Sequence, residues 1–335
     1  MPSPSIASRV RRATLQLAGV LAIAAVGTPV SAQSAPTVPA PAVPAPAADA
    51  TPASPALIDH LLRVLEKREQ PQGVGGPFGG SSALSSLSTI DALNAERQLR
   101  TLGARAASGA PRVAELLMRT ERNAYELAWT LWSISPPATT EQLPELRAAL
   151  ANVSGAARIE VLAKIGRSRS AQAMPELREA SQAAELPQRL VAGIALSHQL
   201  ETAAGDEPAR LLAGLLKDRE KPVRSVSANG LRLLGTRAQA AVPALIDYLR
   251  TRDNVYMATQ ALAAAPTRDL LPAQGELEAI LADTKLSDFQ KQPAVQLLMR
   301  IEQQRSSEGT TGAVPAPRTP AVVPVRPAVD DARRI

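Results

Sequence analysis

The sequence predicts an all-α chain, an α-solenoid wound as a right-handed superhelix of about seven antiparallel helical hairpins, each too small to bury its own apolar faces. One observation is a series of prolines: Pro111, Pro144, Pro175, Pro208, Pro243 and Pro272 follow at intervals of 33, 31, 33, 35 and 29 residues, each opening a short amphipathic run. Proline suits a first helical turn, whose N–H has no partner in any case. A second is the partner run behind each proline, such as AYELAWTLWSI from Ala124 or PVRSVSANGLRLLG from Pro222. A third is shared punctuation, since Gly103, Gly166 and Gly235 each stand eight or nine residues before the next proline, where a helix is expected to stop.

The N-terminus places Arg9, Arg11 and Arg12 before an apolar run from Leu15 to Val26 and a small-residue stretch ending at Ala32. That order predicts a secretory signal peptide over residues 1–32, cleaved after Ala32, and the run is too short to anchor the chain in a bilayer. Arg11-Arg12-Ala13-Thr14-Leu15 loosely resembles a twin-arginine export signal, but Thr14 stands where that motif has phenylalanine, which favours ordinary secretion. The expected location is the periplasm or the medium, with no stable membrane anchor.

The full chain carries +6 at neutral pH, and cleavage after Ala32 removes three arginines and no acid, leaving +3. Without a dense Lys/Arg stretch in the body, the electrostatic footprint of a nucleic-acid binder is missing. The absence of cysteine excludes disulfides, thiolate metal sites and cysteine nucleophiles.

Residues 33–56 alternate alanine and proline and are expected to form a disordered, semi-extended linker. The folded body is expected over 57–303. Ile58, Leu61, Leu62 and Leu65 form its first stripe, and Ala92, Ala95, Leu99 and Leu102 its second. Between them the glycine-rich insertion 69–88 exceeds the usual connection length. No GK[ST] follows its glycines, so it is not a phosphate loop, and Phe78 is its one sticky side chain.

The clearest unit runs from Pro208 to Arg250. Leu211, Leu212, Leu215 and Leu216 make one stripe, and Val223, Val226, Gly230, Leu231 and Leu234 a second, on either side of the polar turn KDREKP. Residues 304–335 return to proline, alanine and scattered charge and are expected to be a disordered tail.

AVPALIDYL at 241–249 and LLKDREKPVRSVSANGLRLLG at 215–235, with Asp218 in the inter-helix turn and Val223-Arg224 opening the second helix, resemble the short HEAT-like repeats of bacteria, including the phycobilisome-lyase type. The likeness covers 57–303, most sharply 208–250. It implies a solenoid that binds partners, usually proteins, along a groove lined by second helices. It also implies a ladder in which Arg224 pairs with a neighbouring turn acid.

Candidate site residues follow from residue type and place. Tyr125, Trp129 and Trp132 stand at i, i+4, i+7 of a second helix and include both tryptophans of the chain, the residue types that dominate binding energy. Together with Phe78 they are the expected partner contacts, with packing between hairpins as the competing role. Asp218, Asp283 and Asn152 occupy inter-helix turns and are expected to cap the following helices. His60 points away from the first stripe, and His198 extends the stripe of Val191, Ile194 and Ala195 into a hydrogen-bonded packing position. Neither histidine has a HExxH, a paired histidine or a glycine-framed serine beside it, and no D-x-D-x-D loop occurs, so no metal or cofactor is expected. The expected function is binding or scaffolding of a protein without catalysis. The alternative is a lyase-type enzyme on a helical repeat or toroid, which calls for convergent carboxylates. Paired carboxylates meet only in space, and the seven aromatic residues are few to pave a sugar cleft.

Overall fold

The computed structural model describes residues 51–69, 81–120, 123–199 and 204–311. The predicted signal peptide, most of the Pro/Ala linker, Phe78 and the last part of the tail lie outside these residues. Within them every regular element is helical, and the helices pack in successive antiparallel pairs. The pairs are α1 (Pro55–Glu69) with α2 (Ser81–Leu102), α3 (Ala110–Arg119) with α4 (Ala124–Ile134), and α5 (Leu143–Asn152) with α6 (Gly155–Arg167). They continue with α7 (Met174–Ser181) and α8 (Leu186–Ser197), then α9 (Glu207–Leu215) and α10 (Lys221–Leu234). The last are α11 (Val242–Leu249) with α12 (Val255–Leu262), and α13 (Gln274–Ala282) with α14 (Asp288–Thr311).

Five of the six periodic prolines, from Pro111 to Pro243, stand in the first turn of the helix they open. Pro272 falls one step earlier, in the 3-10 turn Leu271–Ala273 that leads into α13. The expected stops hold at Gly103 and Gly235, whose φ of +57° and +58° favour a residue without Cβ. Gly166 is different. It lies inside α6, and the left-handed position after that helix falls on Arg169, φ +54°. Gly166 serves helix packing instead, because a Cβ there would lie 2.5 Å from Cβ of Ala195 on α8. Gly193 and Gly230 play the same part between α8 and α10, facing Val226 and Ser197. Small residues thus draw α6, α8 and α10 together.

Element boundaries shift at three places. Ala53, expected in the linker, is buried, and its N–H donates to Arg105 O at 3.0 Å; α1 then starts at Pro55, which fits a first turn. The 69–88 insertion is helical from Ser81, since after Gly80 neither glycine nor proline interrupts the chain before Gly103. The last helix runs through Thr311, past the expected end at 303.

The second helices α8, α10, α12 and α14 each pack on the next, as stacked repeats do, and α6 packs on α8. That nearest-neighbour order breaks at α4. This helix packs against α8, one hairpin beyond its neighbour, and touches α10 as well, while α6 packs on α3 in addition to α8. α8 is consequently buried at every position from Pro187 to Ser197. Its sequence is apolar or small around most of its circumference, as suits a helix enclosed on all sides.

Candidate functional site

α4 packs on the second helices α8 and α10, and its two ends build two different environments. At its N-terminal end Tyr125 shares a cleft of about 370 Å³ with Lys221, Pro222, Ser225 and Asn229 of α10 and Asn254 and Met257 at the start of α12. Burial raises the Tyr125 phenol pKa, an effect partly offset by the nearby indole N–H of Trp129. At its C-terminal end Trp129 and Trp132 meet edge to face, 6.2 Å apart, and both rings contact His198 at the end of α8, at 5.4 and 4.3 Å.

The tryptophans are packed more than displayed. Trp132 is 2% exposed and Trp129 is half-buried, so Trp132 offers no free ring face to a partner. Packing also completes one turn of cation chemistry: the Arg167 guanidinium, from the end of α6, stands 4.6 Å above the Trp132 ring. Neither indole nitrogen has a hydrogen-bond partner of normal geometry. His198 Nδ1 lies 3.0 Å from Ile194 O, which fixes the ring. Burial depresses the His198 pKa, the Ile194 carbonyl opposes that, and the Arg169 and Arg167 charges lower it further. The Arg167 pKa is likewise lowered, first by burial and then by Arg169. His60, by contrast, is exposed on α1.

Helix spacing made the Tyr125-Trp129-Trp132 face legible. It could not show His198 or Arg167, which come from other hairpins. One signal was available, namely the nearly all-round apolar pattern of α8, which required a cover beyond its own neighbours.

The turn residues sort differently from the expected capping. Asp218 Oδ1 accepts from Glu220 N at 2.8 Å and Asp283 Oδ1 from Lys285 N at 2.9 Å, closing Asx-turns inside the loops. The N-cap position of α10 is Glu220, without a side-chain cap bond. Asn152 donates its side-chain amide to Ala148 O, back into α5, and caps nothing ahead of it. The carboxylate of Asp218 is occupied by Arg189 Nε at 2.7 Å, in an ion pair whose side chains are 7% and 9% exposed.

Arg224 repeats that arrangement one hairpin later. Its Nε donates to Asp253 at 2.6 Å, and its Nη1 to Asp218 O and Arg219 O of its own turn. Arg189 likewise binds Ala183 O and Ala184 O of its own turn. Arg158 of α6 holds Leu150 O in the last turn of its own hairpin's α5 and Glu179 on α7 of the next hairpin. These arginines tie each second helix to its own turn and to the hairpin that follows, and the sequence reading had identified Arg224 without Arg158 or Arg189.

The two larger clefts open along this ladder. One of about 610 Å³ is lined by Arg189, Arg210, Asp218 and Arg219, and one of about 450 Å³ by Asp218, Arg224, Asp247, Tyr248 and Asp253. The best-placed charges in both are already committed to structural ion pairs. In the second cleft burial pushes the Tyr248 hydroxyl up to about 12, which keeps it protonated. Glu96 is the carboxylate raised by burial among the described residues; it is 0% exposed on α2 and held by Arg68 at 2.7 Å. No group of three or more His, Cys, Asp or Glu side chains spaced to hold a metal occurs among the described residues. No described helix is long and apolar enough to cross a membrane.

A remaining aromatic pair faces outward. Phe289 of α14 is 64% exposed and stacks on Tyr256 of α12 at 4.8 Å between ring centroids, 15° from parallel. Tyr256 precedes Met257, which lines the Tyr125 cleft. Comparison of the sequence with models of protein families and with curated proteins finds no match.

Proposed function

We propose that this protein is exported and acts, as a HEAT-like α-solenoid of about seven hairpins in a right-handed superhelix, to bind or scaffold a protein partner without catalysis of its own. Repetition of the arginine ties at 158, 189 and 224, together with the row of second helices, supports the repeat reading. The signal-peptide pattern of residues 1–32 supports export to the periplasm or the medium.

The observation that carries the binding reading is the outward-facing Tyr256–Phe289 stack beside the Tyr125 cleft. Exposed rings next to a concave apolar surface are the type of anchor on which interface energy concentrates. The partner surface therefore shifts from the buried tryptophans to Phe289, Tyr256, Met257 and Tyr125. In this arrangement α4 fills part of the second-helix groove and forms one wall of the remaining cleft.

Crosslinking of the mature protein in the envelope fraction, followed by quantitative pull-down, tests the reading. A partner recovered with the native chain is expected to fall at least about tenfold in Phe289→Ala, in line with loss of one aromatic anchor. Equal recovery with both chains refutes this surface. N-terminal sequencing of the exported protein is expected to begin at Gln33.

A further inference from the structure

We propose that Arg167, His198 and the indole of Trp129, backed by the enclosed Trp132, form a binding site for an organic carboxylate, its charge held by the guanidinium and its apolar body resting against the half-buried Trp129 ring. Charge balance is the first argument. Arg158, Arg189 and Arg224 each find an acid and a backbone carbonyl. Arg167 has neither, although it is half-buried, and Arg169 next to it has no side-chain partner either. The charges acting on His198 are these same two cations. Cationic charge is thus gathered in a partly dry place without a counter-ion, and burial of unpaired charge is costly.

Unsatisfied donors are the second argument. Trp132 Nε1 lacks an acceptor although the residue is 2% exposed. Gln199, adjoining His198 in the chain, is 0% exposed with neither amide atom bonded. A buried N–H without a partner costs free energy that a ligand oxygen recovers. A carboxylate brings acceptor oxygens and one negative charge, matching what the cluster lacks.

The shape of the site selects among anions. A guanidinium lying over an indole keeps its N–H edge free, and that planar fork fits a carboxylate with two parallel bonds. The half-buried Trp129 ring offers an apolar surface beside the guanidinium, which favours a carboxylate on an aromatic or aliphatic body over a strongly hydrated inorganic dianion. The site lies at the opposite end of α4 from the Tyr125 cleft, so its failure leaves the proposed partner surface untouched.

Both tryptophans of the chain belong to this cluster, so the two indole N–H signals of the 15N-labelled full chain report on it directly. Titration with benzoate at constant ionic strength is expected to shift them saturably and to raise the pKa of His198. Arg167→Gln is expected to weaken benzoate at least about tenfold, the loss of a charge-assisted fork, and Arg169→Gln about threefold. If Arg167→Gln loses its helical circular dichroism, Arg167→Lys decides the matter: it keeps the charge over Trp132 and loses the fork, so weaker binding is expected. Absence of saturable shifts overturns the proposal, as does equal affinity in the Arg167 variants. Inorganic phosphate binding as tightly as benzoate overturns the carboxylate assignment.

Discussion

The hairpins α7/α8, α9/α10 and α11/α12 and the hairpin α3/α4 solve the same problem in different ways. In the former, second helices are drawn together by Gly193 and Gly230 and tied in register by Arg189–Asp218 and Arg224–Asp253. In the latter, α4 accepts a tie from Arg100 of α2 through Glu126 but has no arginine of its own to send forward. It reaches past its neighbour with Tyr125, Trp129 and Trp132 and closes over α8. Small side chains and a repeated ion pair propagate a stack, whereas bulky rings end its regularity by bridging units that are not adjacent. The difference teaches where specific chemistry gathers: the ladder's charges are spent on structure, while the bridging helix leaves a cleft at one end and unpaired donors at the other.

Breaking the bridge gives the largest expected effect. Trp132→Ala removes a buried ring from the α4–α8 contact and is expected to cost about 3–5 kcal/mol in chemical denaturation. Amide exchange should then accelerate in α4 and α8 while α12 and α14 keep their protection. Uniform acceleration through α14 contradicts the view of α4 as a separable cover.

Breaking the ladder comes next. Asp218→Ala leaves the Arg189 charge buried without its partner and is expected to cost about 3 kcal/mol, more than Asp253→Ala, whose pair with Arg224 is twice as exposed. Equal losses in the two variants would show that burial does not govern the ladder. Gly166→Ala places a methyl against Ala195 and is expected to cost about 1–3 kcal/mol through overpacking, whereas Gly214→Ala, with open space around its Cα, should be neutral or stabilising.

The smallest effect is electrostatic. His198 has a folded pKa below its ordinary 6.5, so the unfolded chain takes up its proton first as pH falls. The contribution is full above about 6.5 and is lost as pH drops through that value toward the folded pKa. His198→Gln is expected to flatten the fall in stability between pH 7 and 5. A profile as steep as the native one places the acid sensitivity elsewhere.

Much of the helical pairing was legible because proline and apolar spacing act locally. A proline can open a helix wherever the chain goes next, and the stripes at Ile58–Leu65 and Val223–Leu234 are buried as their periodicity requires. The apparent punctuation at Gly166 misled for a physical reason: glycine serves both a left-handed turn and a close helix approach, and only the neighbour, Ala195, tells which. Asp218 stood in the expected turn, but its partner Arg189 lies 29 residues upstream, and no local pattern names it.

By itself the sequence determined that the described body is all-helical and arranged in proline-opened pairs, because those properties depend on backbone preferences and on apolar residues a few positions apart. Only the tertiary structure decided that α4 leaves the regular order, that Trp132 is enclosed and Phe289 exposed, and that Arg167 meets an indole where other arginines meet acids. Those outcomes depend on which distant surfaces fit together. Three rings on one helix face can line a groove or fill one, and the enclosing partner, α8, lies more than fifty residues away.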